Sequence, residues 1–416
     1  MPRPYRFVWG LCLCLSLSCF AEEQRIVEHD DPLVFDNTLN LGQVIDIALK
    51  NYPYRGVVAA LHQESASLKR RSNGLLADAP SLAATYIDDA PFDNSGLDEF
   101  ESEVEFPLWR WGQRAAGQDF AEKADRNAER YGYALRYEVA GKVREVLWAV
   151  ALEEQRQNFA RARLKISQRL TRAVQRRVEL GDLAEADLLL ARSDQMEKRV
   201  LAVAAEAAYM QARHRYYSVT RIERAPAQFA EALSAKLEID ETHPKLALTR
   251  SKIERLRARL KWVQASGREQ PKIALGFKRE RGARDEPHIE SLNVGLSIPF
   301  GEGVYVAPEV AAAQVALSEA MAEHDTAVRE LERGLHEARH ALEVDRAMLE
   351  ITRQRRALAE NYLKIGQKQF DVGEISLLDL LKINANTDLA IRDAEERALV
   401  LQRDTARYNQ VVGELP

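Results

Sequence analysis

The chain carries GDLAEADLLLARS at Gly181–Ser193 and, 192 residues later, GEISLLDLLKINA at Gly373–Ala385. Prolines recur at an offset of 191 or 192 residues, in the pairs Pro53 and Pro244, Pro80 and Pro271, and Pro107 and Pro299. A fixed internal period is the signature of a duplicated structural unit, and it constrains the fold before any local pattern does. We therefore interpret the chain as two tandem repeats, residues 22–221 and 222–416.

Each repeat contains one long stretch without proline, residues 108–225 in the first and 309–415 in the second. Since interior proline breaks helices, both stretches are predicted to be helical. Gly181 and Gly373 each divide one stretch, as the C-terminal glycine of a tight helix–helix turn does. The helix predicted over residues 114–180 would span about 100 Å at 1.5 Å per residue, far more than a globular domain of this size needs.

Apolar side chains recur at heptad spacing within both stretches, which predicts coiled-coil packing between long helices. The seam contains Val139, Val143 and Val146 in the first repeat and Leu331, Leu335 and Ala338 in the second. A shorter predicted helix opens the first repeat with LGQVIDIALKNYP (Leu41–Pro53), and Thr38 is predicted to cap its N-terminus. The predicted fold class is mainly α with a small β part.

The β part consists of two predicted hairpins, at about residues 80–108 and about 271–300. One strand of the first hairpin has glutamate at every second position, namely Glu99, Glu101, Glu103 and Glu105. Because successive side chains point to opposite faces of a strand, these carboxylates share one face. The intervening positions are Phe100, Ser102, Val104 and Phe106, and under the 192-residue offset they align with Leu292, Val294, Leu296 and Ile298. Both hairpins therefore keep one polar and one apolar face.

This alternation is typical of membrane β-strands, which are apolar towards lipid and polar towards a water-filled lumen. Trp109 and Trp111 follow the acidic strand and are predicted to contribute to an interfacial aromatic girdle. The positions aligned with the glutamates carry no positive charge, being Ser291, Asn293, Gly295 and Ser297. The acidic row is therefore predicted to make the lumen cation-selective. The alternative is a strand whose charges face water on a soluble protein.

Four strands cannot close a barrel, which needs at least about eight. Lipid cannot satisfy the hydrogen-bonding groups of an open strand edge. A membrane form of this chain is therefore predicted to be an oligomer in which each protomer donates two hairpins.

The N-terminus has the composition of an export signal. Arg3 and Arg6 precede an apolar run, and the small residue Ala21 follows it, so residues 1–21 are predicted to be a secretory signal peptide. All three cysteines lie inside that segment, so the mature chain is predicted to have no disulfide and no thiolate metal site. Lipidation at Cys19 is the alternative processing. The formal charge of −5 argues against nucleic-acid binding.

HEARH at His336–His340 matches the zinc-protease pattern HExxH, which places two imidazoles one helical turn apart with a glutamate base beside them. The aligned residues of the first repeat read REVLW (Arg144–Trp148), and no third ligand is identifiable. The segment also lies within a predicted coiled-coil helix. We therefore interpret HEARH as a solvated helix face, and we predict no catalytic residue, no metal site and no cofactor.

Together these features resemble the TolC family of outer membrane factors, the exit ducts of tripartite efflux pumps and type I secretion systems. The resemblance rests on the duplication, on LGQVIDIALKNYP, on FPLWRWGQR and IPFGEGVYV after the second strand of each hairpin, and on the GDLAEAD and GEISLLD turns. It covers essentially the whole mature chain. It implies a homotrimer with a 12-stranded barrel in the outer membrane that continues into a long α-helical barrel through the periplasm. An irregular equatorial region would use about residues 222–243 and the C-terminus.

Two details refine the resemblance. The form PLW-x-x-GQR at Pro107–Arg114 looks most like the heavy-metal (cobalt-zinc-cadmium type) efflux branch. Some relatives carry two aspartates after the second turn, which form a constriction, whereas this chain has Asp379 but Lys382 three residues later. The resemblance also implies that the two turns form a periplasmic tip that docks an adaptor protein, and the residues predicted for it are Gly181, Asp187, Gly373 and Asp379.

The function implied is a non-enzymatic outer membrane channel that passively conducts substrate from an inner-membrane pump and a periplasmic adaptor to the exterior. Metal or other cations are the first substrate class. Organic-compound efflux and type I protein secretion are the alternatives within the family. A soluble periplasmic coiled-coil scaffold is the alternative from another class.

Overall fold

The computed structural model describes residues 32–416, so the predicted signal peptide and Cys19 lie outside the described residues. In chain order its elements are β1 (Val34–Asp36), α1 (Leu41–Asn51), α2 (Arg55–Asn73), β2 (Ser81–Asp88), β3 (Asp98–Pro107), α3 (Gln113–Glu179), α4 (Glu185–Thr220), β4 (Arg224–Pro226), α5 (Pro244–Ser266), β5 (Lys272–Arg281), β6 (Ile289–Ser297), α6 (Gly303–Asp371) and α7 (Leu377–Val411). The order of two paired strands followed by two long helices occurs twice.

The long helices dominate the molecule. Helix α3 has 67 residues and α6 has 69, so each is about 100 Å long at 1.5 Å per residue. Each folds back into a helix about half as long, α4 with 36 residues and α7 with 35. The mainly helical fold class with a small β part is therefore confirmed.

The seam between the helices is formed by small and branched apolar side chains. Val139 and Val143 are at most 1% exposed in α3, and Leu331, Leu335 and Ala338 are buried in α6. This spacing lets neighbouring helices pack side by side along their length. The result is a wall of helices rather than a globule with one central core.

Strands β2, β3, β5 and β6 form one antiparallel sheet in that order. The central contact joins β3 to β5, with Val104 opposite Leu275. The outer edges of β2 and β6 have no partner strand among the described residues, so the sheet is open on both sides.

The best-packed region lies near the middle of α3, where α1 covers it. Val44, Ile45 and Ala48 of α1 are fully buried there. The cap of α1 is Asn40, whose side chain accepts from the Gln43 amide at 2.9 Å while the Gln43 side chain accepts from the Asn40 amide. The prediction that Thr38 caps this helix is wrong, because Thr38 instead donates to the Asp36 carboxylate.
 The segment between the two halves is irregular apart from β4. Strand β4 pairs in parallel with β1, and residues 227–243 run without helix or strand along the middle of the helical wall. Phe229 of this segment packs edge-on against Trp148 of α3, with ring centroids 4.8 Å apart. The segment and the C-terminus therefore thicken the wall at the height of α1.

Candidate functional site

The acidic row lies on one face of β3, as its alternation predicted. In the antiparallel register, Glu99, Glu101, Glu103 and Glu105 stand opposite Ile87, Thr85, Ala83 and Ser81 of β2 on one side. On the other side they stand opposite Glu280, Lys278, Gly276 and Ala274 of β5. Directly opposed residues share a face, so the polar face of the sheet also carries side chains of β5.

Two lysines of β5 neutralise part of this row. Lys272 Nζ lies 2.8 Å from Glu105 Oε2, and Lys278 Nζ lies 2.8 Å from Glu99 Oε1 and 2.6 Å from Glu280 Oε2. The aligned strand, β6, carries no lysine opposite the row, but its neighbour β5 carries two, so the row is partly compensated. With five glutamates and two lysines, the polar face of β3 and β5 has a net charge of −3 per chain.

The two middle glutamates lack such a partner. Glu101 accepts only a hydrogen bond from Asn293 Nδ2 at 3.3 Å. Glu103 stands between Ala83 and Gly276 and makes no ion pair or side-chain hydrogen bond within the described part of the chain. The negative potential of the polar face is therefore centred on Glu101 and Glu103.

The opposite face of the sheet is uncovered and is apolar except at the hairpin end, where Arg279 and Glu290 lie beside Phe100. Leu292, Val294 and Leu296 of β6 are 84%, 78% and 66% exposed, and Leu82 of β2 is 73% exposed. No described helix packs over this face. Contiguous apolar surface of this kind marks contact with lipid or with another protein.

The two tryptophans at the end of β3 differ in environment. Trp109 is half-buried, and its indole Nε1 donates to the Gly74 carbonyl at 3.1 Å, which ties the strand end to the end of α2. Trp111 is fully exposed at the start of α3. Only Trp111 is thus free of packing against the rest of the described chain.

Both helical turns have the same backbone. Gly181 and Gly373 have φ of +79° and +80°, the left-handed conformation that favours glycine. The amide after each glycine donates back to a helix carbonyl at 2.8 Å, from Asp182 to Arg177 and from Glu374 to Gln369. These bonds satisfy the last carbonyls of α3 and α6 and fix the turn.

The aspartates of the turns open the returning helices. The Ser376 hydroxyl donates to the Asp379 carboxylate at 2.7 Å, which lowers the pKa of that carboxyl, and nearby Lys382 lowers it further. Asp187 accepts from the amide of Ala184 at 3.3 Å. Both side chains are therefore engaged in helix capping, with Asp379 exposed and Asp187 half-buried.

The two turns meet at one end of the molecule. Val174 and Ala191 of the first hairpin pack in one buried cluster with Phe370, Leu377 and Leu380 of the second. The Arg177 guanidinium lies 4.9 Å from the centroid of the Phe370 ring and pairs with Asp182 at 2.6 Å. The structure thus joins the two predicted tip turns, and places the acidic row at the far end of α3.

The HEARH segment lies on a solvent-exposed face of α6. His336, Glu337 and His340 are exposed, and the described residues contain no group of three or more His, Cys, Asp or Glu suited to a metal ion. None of the described helices has the length and apolar character that crossing a membrane requires.

Solved structures share this fold. The Campylobacter jejuni CmeC outer membrane channel matches with a TM-score of 0.70 at 14% identity, over 90% of this chain and 85% of that chain. CusC, solved in a study of folding and transmembrane channel formation, matches with a TM-score of 0.73 at 12% identity, over 92% and 94%. The Neisseria gonorrhoeae MtrE outer membrane channel in its open state matches with a TM-score of 0.68 at 15% identity, over 90% and 89%. The chain has the fold of these channels.

No protein-family model matches the sequence, and no curated protein matches it. The likeness is therefore one of fold, carried by helix lengths, strand order and connectivity rather than by shared residues.

Three residues of the polar sheet face and of the helical turns were not predicted from the sequence, namely Lys272, Lys278 and Arg177. Each acts on a residue of the other repeat, at least 167 positions away along the chain. Lys272 and Lys278 are separated by an even number of residues, so the sequence places them on one face of their strand. Only the register between β3 and β5 shows that this is the face of the sheet that carries the glutamates.

Proposed function

We propose that this chain is the outer membrane component of a tripartite efflux system, a TolC-like channel that performs no catalysis. In this proposal the sheet lies in the outer membrane and the helical wall extends through the periplasm. The fold shared with outer membrane channels over about nine tenths of the chain supports it.

The single observation that carries the proposal is the two-faced sheet. An uncovered apolar face backed by a face with net charge −3 is costly in water and costly in lipid, because each solvent suits only one face. At the boundary of a water-filled pore in a bilayer, both faces meet a suitable solvent.

The proposed active form is a homotrimer. The outer edges of β2 and β6 each present a row of unpaired backbone groups, which lipid cannot satisfy. Three copies contribute 12 strands, which closes the sheet into a barrel and removes every edge. The long helices would close in the same way into a hollow cylinder, whose wall contacts outer membrane lipid only around the strands.

The tip is proposed to dock a periplasmic adaptor, which links the channel to an inner-membrane pump. The two turns lie together at the end of the helical wall farthest from the sheet, where Asp379 is exposed and Asp187 is half-buried. Trp109 and Trp111 are proposed to lie at the periplasmic boundary of the membrane, where strands give way to helices.

Metal or other cations are the proposed cargo. Glu101 and Glu103 would form a ring of six carboxylates without lysine partners in a trimer, and such rings concentrate cations. The PLW-x-x-GQR motif at Pro107–Arg114 points to the same class through its resemblance to heavy-metal channels.

Planar-bilayer recording of the purified protein under a salt gradient tests the proposal. The wild-type channel should be cation-selective, and Glu101→Gln with Glu103→Gln should move the reversal potential towards zero. Lys272→Gln with Lys278→Gln should move it the other way, because it removes positive charge from the same face. Thr85→Ala, a neutral change on that face, is the matched control. Absence of channels, with the protein in the periplasmic extract, would favour the soluble scaffold.

A further inference from the structure

Three side-chain contacts in this structure join residues that occupy equivalent positions in the two repeats. The pairs are Glu64 with Arg255, Glu101 with Asn293, and Arg110 with Glu302, at offsets of 191, 192 and 192 residues. These are the same offsets that relate the prolines and the turns. In each pair, the two equivalent positions hold residues of complementary character.

The three contacts lie at different heights along the molecule. Glu64 and Arg255 join α2 to α5, with Arg255 Nη2 at 2.7 and 2.9 Å from the two carboxylate oxygens. Glu101 and Asn293 join β3 to β6 diagonally over β5, since Gly276 of β5 stands opposite Asn293 on one side and Glu103 on the other.

Arg110 and Glu302 lie where the strands give way to the long helices. Their side chains pair directly, and both also hold the backbone before β5. Arg110 Nε donates to the Glu269 carbonyl at 3.0 Å, while Glu302 accepts from the Glu269 amide at 3.1 Å. The pair is mostly shielded from solvent, since the side chains are 24% and 13% exposed.

Contacts between equivalent positions have a geometric consequence in a closed ring. When units are related by one rotation, a contact between position i of one unit and position i of the next is repeated at every step around the ring. A trimer of a duplicated chain presents six such units. The second repeat of one protomer and the first repeat of the next therefore bring the same positions next to each other.

We infer that the interface between protomers is built from these same three pairs, so that each closes into a ring of six alternating residues. The inference rests on the proposed trimer and extends it to named contacts. Glu302 contacts Arg110 of its own protomer on one side and has Arg110 of the next protomer as its neighbour on the other. Arg255 and Asn293 likewise each face two glutamates.

The same rotation fixes the strand register across the interface. Inside the chain, Val104 of β3 stands opposite Leu275 of β5. The offsets of 192 for β3 and 191 for β5 convert this pair into Leu296 of β6 opposite Ala84 of β2 in the next protomer. Both residues belong to the apolar face, so the derived register keeps that face continuous around the barrel, as a strand pairing in lipid requires.

A charge-swapped chain distinguishes a pair that acts only inside one protomer from a ring that continues around the trimer. Arg110→Glu with Glu302→Arg preserves the pairing in a trimer made only of swapped chains. Where a swapped chain adjoins a wild-type chain, the ring opposes Glu to Glu or Arg to Arg, and such like-charge contacts are strongly unfavourable. Co-expression of equal amounts of both chains, with distinguishable tags, should give several-fold fewer mixed trimers than the about three quarters expected for random association in a cyclic trimer.

Native mass measurement of the co-expressed chains gives the ratio. Two differently tagged wild-type chains provide the random-mixing control, and the swapped chain alone provides the assembly control. Mixed trimers at the random proportion would overturn the inference, because the pair would then act only inside one protomer.

A second experiment does not depend on the folding of the swapped chain. Ala84→Cys with Leu296→Cys places one thiol on each outer edge of the sheet, too far apart to meet within one chain because two strands lie between them. Directly opposed strand positions have Cβ atoms about 4.5–5.5 Å apart, close to the disulfide range. Mild oxidation of membranes should therefore convert this variant into a covalent trimer.

The shifted pair Ala84→Cys with Val294→Cys keeps both thiols on the same face but moves the register by two residues, and the single-cysteine variants control for any other thiol. More covalent trimer from the shifted pair than from the derived pair would overturn the inference. A wild-type protein that is monomeric in membranes by native mass would overturn the proposed trimer as well, whereas an intact trimer with the wrong register overturns only the inference.

Discussion

The middle of the long helix is covered by a short helix in the first repeat but not in the second. In the first, LGQVIDIALKNYP (Leu41–Pro53) forms α1 and covers α3. In the second, the aligned residues 232–244 read ALSAKLEIDETHP and form no helix before the last of them, Pro244, opens α5. The first sequence places its buried residues at helical spacing, whereas the second alternates apolar and charged residues over LEID, which cannot form one helical stripe.

The long helices α3 and α6 differ correspondingly in the residues that they present at this height. On α3, Ala140 and Leu147 pack in the buried cluster with α1, whereas Arg144 and Trp148 are buried against residues 229–231 of the segment between the halves. On α6 the residues aligned with them are Glu332, His336, Arg339 and His340, and all four are exposed. The covering segments, α1 and residues 229–231, therefore lie where the long helix offers a face to cover. HEARH is the uncovered counterpart of the REVLW segment, and this accounts for its charged sequence without invoking a metal.

The difference between the repeats is expected to affect stability most at Arg144, whose counterpart in the second repeat is His336. The Arg144 side chain is 4% exposed and donates to both carboxylate oxygens of Glu231, at 2.8 and 2.6 Å, and to the Glu414 carbonyl at 3.1 Å. Arg144→Ala leaves Glu231, itself 13% exposed, as a charge without its partner. We expect a loss of about 3–5 kcal/mol in the free energy of unfolding.

His336→Ala is the matched control for that change. Its side chain is exposed, so the expected change is within about 0.5 kcal/mol. Denaturation of the purified protein, followed by circular dichroism, measures both variants. Equal losses at the two positions would show that the asymmetry between the repeats has no energetic weight.

A second difference between the repeats is that His243 occupies the position equivalent to Tyr52. His243 is 2% exposed, and burial lowers its pKa to about 4. The neutral ring caps α5, where its Nδ1 accepts from the Lys245 amide at 3.2 Å. The Tyr52 hydroxyl instead accepts from Lys142 and donates to Glu138.

The sign of the resulting pH dependence follows from the lowered pKa. The unfolded chain binds a proton at the ordinary histidine pKa of about 6.5, whereas the folded chain does so only near 4. Stability due to the neutral ring is therefore complete above about pH 6.5 and declines as the pH falls towards 4, by about 3 kcal/mol in total. His243→Asn keeps a capping oxygen and should remove this part of the acid sensitivity. Identical slopes for both proteins between pH 6.5 and 4.5 would contradict the assignment.

The features that could be predicted from the sequence are those that depend on a single segment of the chain. The helix predicted over residues 114–180 is observed at Gln113–Glu179, because proline-free length and heptad spacing are properties of one segment. The cap of α1 was misplaced by two residues, since Thr38 and Asn40 are both competent caps and only the Gln43 side chain distinguishes them.

The charge balance of the polar face could not be predicted in this way. Lys272 and Lys278 neutralise Glu105 and Glu99 through the register between β3 and β5, strands that belong to different repeats. Alternation within each strand gives the face of every residue relative to its own strand, but not which residues of another strand lie opposite. The helical turns, by contrast, are local, and their glycines could be identified from one segment each.

The smallest expected effect concerns the start of the returning helices at the tip. Ser376 caps α7 by accepting from the Asp379 amide at 3.2 Å, whereas the equivalent position before α4 is Ala184, which has no capping atom. Ser376→Ala should therefore destabilise the first turn of α7 by about 1 kcal/mol, and Ala184→Ser should stabilise that of α4 by up to a similar amount. Hydrogen exchange of the first-turn amides, read separately for the two helices, measures both changes. Because the two turns share one backbone geometry, the two substitutions should reverse the order of protection between them. If α4 remains the less protected helix in the double variant, the difference between the tips lies in their packing, for example around Phe370, and not in the cap.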